Sequence, residues 1–184
     1  MISWPNWICR ERLLDEYREF VAKLANRESS EQLSVRTSEH AAVVIGQLFA
    51  TAQSHVRILS SALPTKTFGS REVIDSAIAY LRQGVDRSID ILLEQRVDAE
   101  RHPLLRELAQ QGLDDRVSLR EVPNTISQTY RCNFVLADDV SFRFESERDT
   151  NRAFVIFRDP DLAANVKAMF NHIAAQSRAP EPGT

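Results

Sequence analysis

The polar residues best placed for chemistry lie on two neighbouring hydrophobic runs. Arg131 and Asn133 stand two residues apart in the first run, which ends in an acidic turn that begins at Asp138. Arg143 and Glu145 stand two residues apart on the returning run, so each pair lies on one face of its strand. Arginine and amide donors on one face could bind a phosphate or a carboxylate. The structural alternative is that Arg143 neutralises Glu145 and that the acidic turn only reverses the chain.

Motifs for metal or nucleophile chemistry are missing from the sequence. Its two cysteines cannot complete a four-ligand metal site, and no G-x-S-x-G, P-loop or G-x-G-x-x-G stretch is present. The histidines are isolated from one another along the chain, at His40, His55, His102 and His172. We therefore expect no metal, no cofactor and no nucleotide cradle.

Composition indicates a folded protein without a strong electrostatic field at its surface. The chain has 184 residues, of which 43% are apolar, and its net charge is −3. This length suits one domain or one domain with an appendage, and no global basic charge steers the protein onto nucleic acid. The sequence shows neither a run of about 20 apolar residues nor a signal-peptide layout. We expect a cytoplasmic protein with no membrane contact.

Apolar periodicity and capping residues predict helices alternating with strands. The predicted elements are a helix over 7–26, a helix over 38–53 capped by Ser38, a strand over 55–60, a helix over 70–82, strands over 88–93 and 117–122 around a helix over 103–112, a hairpin over 130–145, a strand over 152–157 and a helix from 160 onward. This order predicts an α/β fold, a mixed β-sheet with helices on both faces. The predicted boundaries are a helical extension and connector over 1–37, an α/β domain over 38–177 and a disordered tail over 178–184.

The N-terminal helix carries an apolar stripe formed by Leu13, Tyr17, Phe20 and Leu24. Such a stripe packs either on its own domain or on a partner, and packing on its own domain is the commoner outcome. Aromatic residues are favoured interface anchors. A protein partner or a second copy of the chain is therefore a prediction for this stripe.

The hairpin and the elements around it resemble the phospholipase D-like domain over roughly residues 38–177. In that family a strand carries H-x-K, four apolar residues and an aspartate, and a returning strand and a closing helix follow. The resemblance places Arg131 at the histidine position, Asn133 at the lysine position and Asp138 at the aspartate position. It therefore implies a phospholipase D-like fold preceded by an extra N-terminal helix.

The same resemblance implies that the chemistry has been lost. The family uses histidine as its nucleophile, whereas arginine stays protonated and does not attack phosphorus. We expect a non-catalytic binding or scaffolding subunit of a larger bacterial assembly, of the kind that handles nucleic acid or antiviral defence. The residues expected to bind a phosphate or a partner are Arg131, Asn133, Asp138, Arg143 and Glu145. The alternative is a phosphodiesterase or nuclease that completes its site as a dimer.

Overall fold

One mixed β-sheet with helices on both faces organises the chain, and this confirms the predicted α/β class. A computed structural model describes residues 6–26, 32–148 and 152–180, with side chains from residue 11 onward. Seven strands occur in these ranges, in the order β1-β7-β6-β5-β2-β3-β4. The strands β2, β3 and β4 are parallel, and every other neighbouring pair is antiparallel.

The elements begin and end close to the positions that the sequence predicts. The helices are α1 (Asn6–Asn26), α2 (Ser38–Thr51), α3 (Thr65–Phe68), α4 (Arg71–Arg82), α5 (Pro103–Gln110), α6 (Asn124–Thr129) and α7 (Pro160–Ala174). The strands are β1 (Leu33–Val35), β2 (His55–Ser60), β3 (Ser88–Leu93), β4 (Val117–Glu121), β5 (Asn133–Ala137), β6 (Ser141–Glu145) and β7 (Ala153–Ile156).

Strand alternation divides the core into two layers. Side chains such as Ile58 and Val135 pack in the layer that contains α1, α2 and α4, while Leu59 and Phe134 pack against α7. Because side chains alternate across a strand, residues two apart on β5 and β6 face the same layer. Hence Asn133, Val135 and the β6 residues opposite them lie under α1 and α2.

The predicted hairpin is confirmed, and its turn depends on two aspartates. Asp138 and Asp139 have φ of 50° and 60°, the positive values that a type I′ turn requires at both central residues. Strand β5 pairs with β6 on one side and with β2 on the other. The start of β5 therefore lies beside the carboxyl end of β2, where Leu59 pairs with Phe134.

Three predictions from sequence differ from the structure in detail. The cap of α2 is Thr37 rather than Ser38, because the Thr37 hydroxyl accepts a hydrogen bond of 3.2 Å from the His40 N–H. The predicted connector contains β1, which pairs antiparallel with β7. Two segments for which the sequence predicts neither helix nor strand form the short helices α3 and α6. These are elements of three to six residues, too short for periodicity to reveal.

Arg178, the first residue of the predicted tail, pairs with the sheet. The backbone of Arg178 exchanges hydrogen bonds of 2.8 and 3.1 Å with Glu121, so it bridges the outer edge of β4. The predicted tail residues 181–184 and connector residues 27–31 lie outside the described residues.

Candidate functional site

Three of the predicted site residues meet on the sheet face beneath α1 and α2. Asn133 and Glu145 are directly opposed on β5 and β6. The Asn133 Nδ2 donates to Glu145 Oε2 over 3.3 Å, and the Arg143 Nη1 donates to the same oxygen over 3.4 Å. The side chains of Arg143 and Glu145 are only 7% and 8% exposed. These three residues, the buried polar cluster, thus bond one another inside the fold, and the Arg143 Nε is buried there without a hydrogen-bond partner among the described residues.

The loop after β2 completes this cluster. The Asn133 Oδ1 accepts a hydrogen bond of 2.9 Å from the Ser61 N–H, so both ends of the amide are engaged. A cavity of about 30 Å³ lies here, lined by Ile45, Leu59, Ser60, Pro64, Thr67, Phe68, Asn133, Phe134, Val135, Arg143 and Glu145. A volume of this size holds about two or three water molecules, because one water needs about 10–15 Å³ on this measure. A phosphodiester does not fit without movement of the loop or of the cluster.

The charge of Arg143 in the buried polar cluster acts on Tyr17 of α1. Burial lowers the pKa of Arg143 below its usual value, and the negative charge of Glu145 acts in the opposite direction. Burial raises the pKa of Tyr17 to about 12, and the positive charge of Arg143 acts against that rise. The Tyr17 ring also stacks on His40, with centroids 4.1 Å apart. Tyr17 therefore brings α1 into the field of the cluster.

Arg131 is not part of the cluster, and its predicted place on a strand is wrong. Strand β5 begins at Asn133, so Arg131 lies in the segment between α6 and β5. Its side chain is exposed. The expectation that Arg131 and Asn133 share one strand face therefore fails, because pairing with β2 and β6 starts two residues later than the apolar run suggests.

Asp138 lies at the opposite end of the hairpin and has a structural function. Its carboxylate accepts hydrogen bonds from the N–H groups of Gln53, Ser54 (2.8 Å) and His55 (2.9 Å), and from the Ser54 hydroxyl (2.9 Å). Burial acts to raise the pKa of Asp138, but these hydrogen bonds outweigh it and the net pKa is lowered. Asp138 therefore joins the turn to the start of β2, as the structural alternative predicted for an acidic turn. Of the five predicted residues, Asn133, Arg143 and Glu145 bond one another, whereas Arg131 and Asp138 lie outside this cluster.

Sequence reasoning missed a second polar group at the carboxyl ends of the parallel strands. The Arg148 Nη2 lies 2.5 Å from the Glu94 Oε1, and the Glu94 side chain is only 5% exposed. Arg148 also donates to the carbonyls of Ser127 and Tyr130 (2.5 Å), at the end of α6. A cavity of about 300 Å³ opens nearby, lined by Glu94, Arg96, Glu121, Val122, Pro123, Asn124 and Arg178. The position of Glu94 directly after a buried strand was the available signal, because ligand sites favour such ends.

His55, Ser88 and Asp90 form a further polar group on β2 and β3 that the sequence did not reveal. The His55 Nε2 lies 2.9 Å from the Asp90 carboxylate. The Ser88 Oγ lies 3.3 Å from one ring nitrogen and 3.4 Å from the other. An oxygen nearly equidistant from both nitrogens is not aligned with either, whereas an activated serine needs one direct hydrogen bond to its base. We therefore assign this group no nucleophilic function.

The apolar stripe of α1 divides between the core and the surface. Leu24 is 5% exposed, and Tyr17 is partly buried and packs against the core. Leu13 is 65% exposed and Phe20 is 48% exposed. The face that packs inward is instead centred on Val21 and its neighbours. A partner contact through Leu13 and Phe20 stays a prediction.

Membrane spans and metal sites are the two remaining kinds of feature to consider. No helix in these ranges is long and apolar enough to cross a bilayer. Within the same ranges, no group of three or more histidine, cysteine, aspartate or glutamate side chains could hold a metal ion.

Comparison with known proteins relates the chain to one family and one fold. A family model described as a domain of unknown function, DUF7931, matches residues 37–181. No curated protein matches the sequence. The match begins at the cap of α2, so α1 and β1 lie outside it.

Solved structures show that the fold is phospholipase D-like. Nuc from Salmonella typhimurium, a phospholipase D family member, has a TM-score of 0.58 and 15% identity, covering 83% of this chain and 99% of its own. NucT from Helicobacter pylori has a TM-score of 0.54 and 9% identity, covering 82% and 100%. TrmBL2, an archaeal chromatin protein with a novel mode of DNA binding, has a TM-score of 0.60 and 16% identity, covering 95% and 64%. At these identities the likeness is one of fold.

Proposed function

We propose that this chain, which belongs to the DUF7931 family, is a non-catalytic phospholipase D-like module that acts by binding within a larger assembly. One observation carries the proposal: Asn133, which the resemblance puts at the lysine position of the family motif, is bonded within the chain's own buried polar cluster. Arg143 and Asn133 both bond Glu145, and about 30 Å³ is left beside them. A binding role that leaves this cluster intact is the function most consistent with the geometry.

The residue types at these positions also argue against catalysis. The resemblance puts Arg131 where the family has its nucleophile, and a guanidinium remains protonated in proteins. Asn133 carries no charge to hold a phosphate oxygen, and both ends of its amide are already bonded. The residues that line the small cavity include neither histidine nor cysteine. Hydrolysis by a phospho-enzyme route thus lacks its nucleophile there.

A protein partner agrees better with the charge distribution than nucleic acid does. The net charge is −3, and several arginines are paired with carboxylates inside the fold. Arg57 bonds Asp139, Arg143 bonds Glu145 and Arg148 pairs with Glu94. Arginines used in this way add little to an attractive field for phosphates. DNA is still the ligand to test beside protein, since the chromatin protein TrmBL2 shares the fold.

The test of catalysis uses the full-length protein with a chromogenic phosphodiester and with single- and double-stranded DNA, each with and without EDTA. We expect no turnover in any condition. Turnover that disappears in Asn133→Ala would overturn the proposal and favour the dimeric phosphodiesterase. Leu162→Ala, a change at a side chain 45% exposed on α7, is the matched control and should leave any turnover unchanged.

The test of assembly compares two surface variants in the native host. Leu13→Asp combined with Phe20→Asp places charges on the exposed side of α1. Val85→Asp does the same at a side chain 84% exposed elsewhere on the surface. Affinity purification followed by light scattering should show a stoichiometric partner, or a second copy, that only the α1 double variant loses. A wild-type chain that purifies as a monomer without a stoichiometric partner would contradict the proposal.

A further inference from the structure

The loop that covers the buried polar cluster is held by three side chains. The Ser60 Oγ accepts from the Leu63 N–H over 3.0 Å, and the Asn133 Oδ1 accepts from the Ser61 N–H over 2.9 Å. The His102 Nε2 lies 2.9 Å from the Leu63 carbonyl oxygen. Leu63 itself has a φ of 47° and is fully buried. A leucine rarely adopts this left-handed conformation, so these contacts hold the loop against its local preference.

The tautomer of His102 follows from its partner. A carbonyl oxygen only accepts, so Nε2 must carry the proton and Nδ1 must carry the lone pair of a neutral ring. His102 is 5% exposed, and its Nδ1 is buried without a hydrogen-bond partner in the described part of the chain. Protonation would add both a charge and an N–H at this nitrogen, in a place with no acceptor. The closed loop therefore favours neutral His102.

Charged groups on the neighbouring elements do not offset that cost. Lys66 lies on α3, and Asp98 and Arg101 lie in the turn before α5. The Asp98 carboxylate pairs with Arg101 Nε over 3.2 Å and accepts from the Glu100 N–H over 3.0 Å. Arg106 follows one turn along α5, and its charge has the same sign as a protonated histidine.

We propose that His102 makes residues 61–64 a pH-dependent gate, which opens the buried polar cluster to solvent when Nδ1 takes up a proton. This proposal goes beyond the function proposed above and does not depend on it, because it concerns the loop whatever binds behind it. Burial lowers the pKa of His102, and the hydrogen bond to the Leu63 carbonyl acts in the opposite direction. An open loop exposes the ring and returns its pKa to about 6.5.

The direction and size of the effect follow from proton linkage. The open form binds the proton better than the closed form, so acid favours opening. The opening equilibrium constant should rise as pH falls through 6.5, with a limiting slope of about tenfold per pH unit, until the lowered pKa of the closed form is reached. Well above pH 6.5 both forms are neutral at His102, and opening should not depend on pH.

Hydrogen exchange of the full-length protein by NMR tests the gate at pH 7.5, 6.5 and 5.5. The protection factors of the Ser61 and Leu63 amides, corrected for the intrinsic exchange rate, should fall from pH 6.5 to 5.5 by up to about fivefold, because half of the open form is already protonated at pH 6.5. The Leu136 amide in the core strand β5 should keep its protection. Equal loss at Leu136 would mean global unfolding and would overturn the gate.

Two variants separate His102 from other titrating groups. In His102→Gln the amide N–H can still donate to the Leu63 carbonyl but cannot titrate, so protection should become independent of pH. His172→Gln, at an exposed histidine on α7, should behave like the wild type. Should His102→Gln not fold, the chemical shift of the His102 Cε1 proton in the wild type is followed against pH instead. A titration midpoint below 6.5 supports the gate, and one at or above 6.5 refutes it.

Discussion

Removing Arg143 is the sharpest test of whether the buried polar cluster holds the fold together. In Arg143→Ala, the Glu145 carboxylate stays in a position only 8% exposed and loses its cationic partner. Breaking a buried ion pair in this way costs about 3–5 kcal/mol of unfolding free energy. For a chain of this length, each kcal/mol lowers Tm by about 2–4 °C, so the expected drop is about 6–20 °C.

The assay is urea unfolding at pH 7, followed by circular dichroism, with two comparison variants. Arg12→Ala removes a partner from the exposed Arg12–Glu16 pair, whose side chains are 81% and 60% exposed, and should cost at most about 0.5 kcal/mol. The double variant Arg143→Met with Glu145→Leu removes both charges. It should regain most of the loss, because replacing a buried pair by apolar residues is often neutral or stabilising.

Two results would refute this reasoning. A loss below about 1 kcal/mol in Arg143→Ala would mean that the pair behaves like an exposed one. A double variant no more stable than Arg143→Ala would mean that the uncompensated carboxylate is not the cause. Unchanged stability together with weaker, salt-dependent binding of DNA would show instead that Arg143 serves a ligand.

Three further predictions concern other parts of the molecule. Asp138→Asn should cost about 1–3 kcal/mol of unfolding free energy at pH 7. Because the folded-state pKa of Asp138 is lowered, its contribution is present above about pH 4 and is lost as pH falls further. The unfolding free energies measured in urea at pH 7 and pH 3 should therefore differ less in the variant than in the wild type. Leu24→Ala should cost about 2–5 kcal/mol and Leu13→Ala less than about 0.5 kcal/mol, since only Leu24 is buried; equal losses would contradict the packing of α1. Burial raises the pKa of Cys132 to about 11, so in a Cys9→Ser background its thiolate fraction at pH 8 is about 10⁻³ and reaction with a thiol reagent should be roughly 200-fold slower than for a free thiol. Reaction at the rate of a free thiol would disprove the burial.

Local pattern was enough for the long elements and for the turn. The helices α4 and α7 begin at side chains that accept from their first turn, Ser70 and Asp159, and such caps are visible in sequence. The strands β2 and β3 begin with alternating polar and apolar residues and end in a buried run, which is typical of strands whose ends are covered on both faces. The acidic pair at the hairpin tip indicates a turn because aspartate tolerates positive φ.

The candidate site could be predicted only in part, because strand pairing decides its members. Asn133 and Glu145 share a sheet face by alternation, but their direct opposition depends on the register of β5 against β6. Arg131 lies only two residues from Asn133, but it does not share the strand face because the pairing of β5 with its neighbours begins after it. A register is a long-range choice, and no residue type near Arg131 indicates where pairing starts.

The remaining features come from contacts between segments far apart in the chain. Asp138 bonds residues more than 80 positions away, and β1 is a strand only because β7 lies beside it. The stripe on α1 is apolar along one side whether it faces the core or solvent, so its sequence cannot separate Leu24 from Leu13. Periodicity records which side of an element is apolar, whereas docking against the rest of the fold decides which part of that side is buried. For this protein the pattern of residues determines the elements and the layers, and the packing of distant segments determines that Arg143, Asn133 and Glu145 bond one another inside the fold.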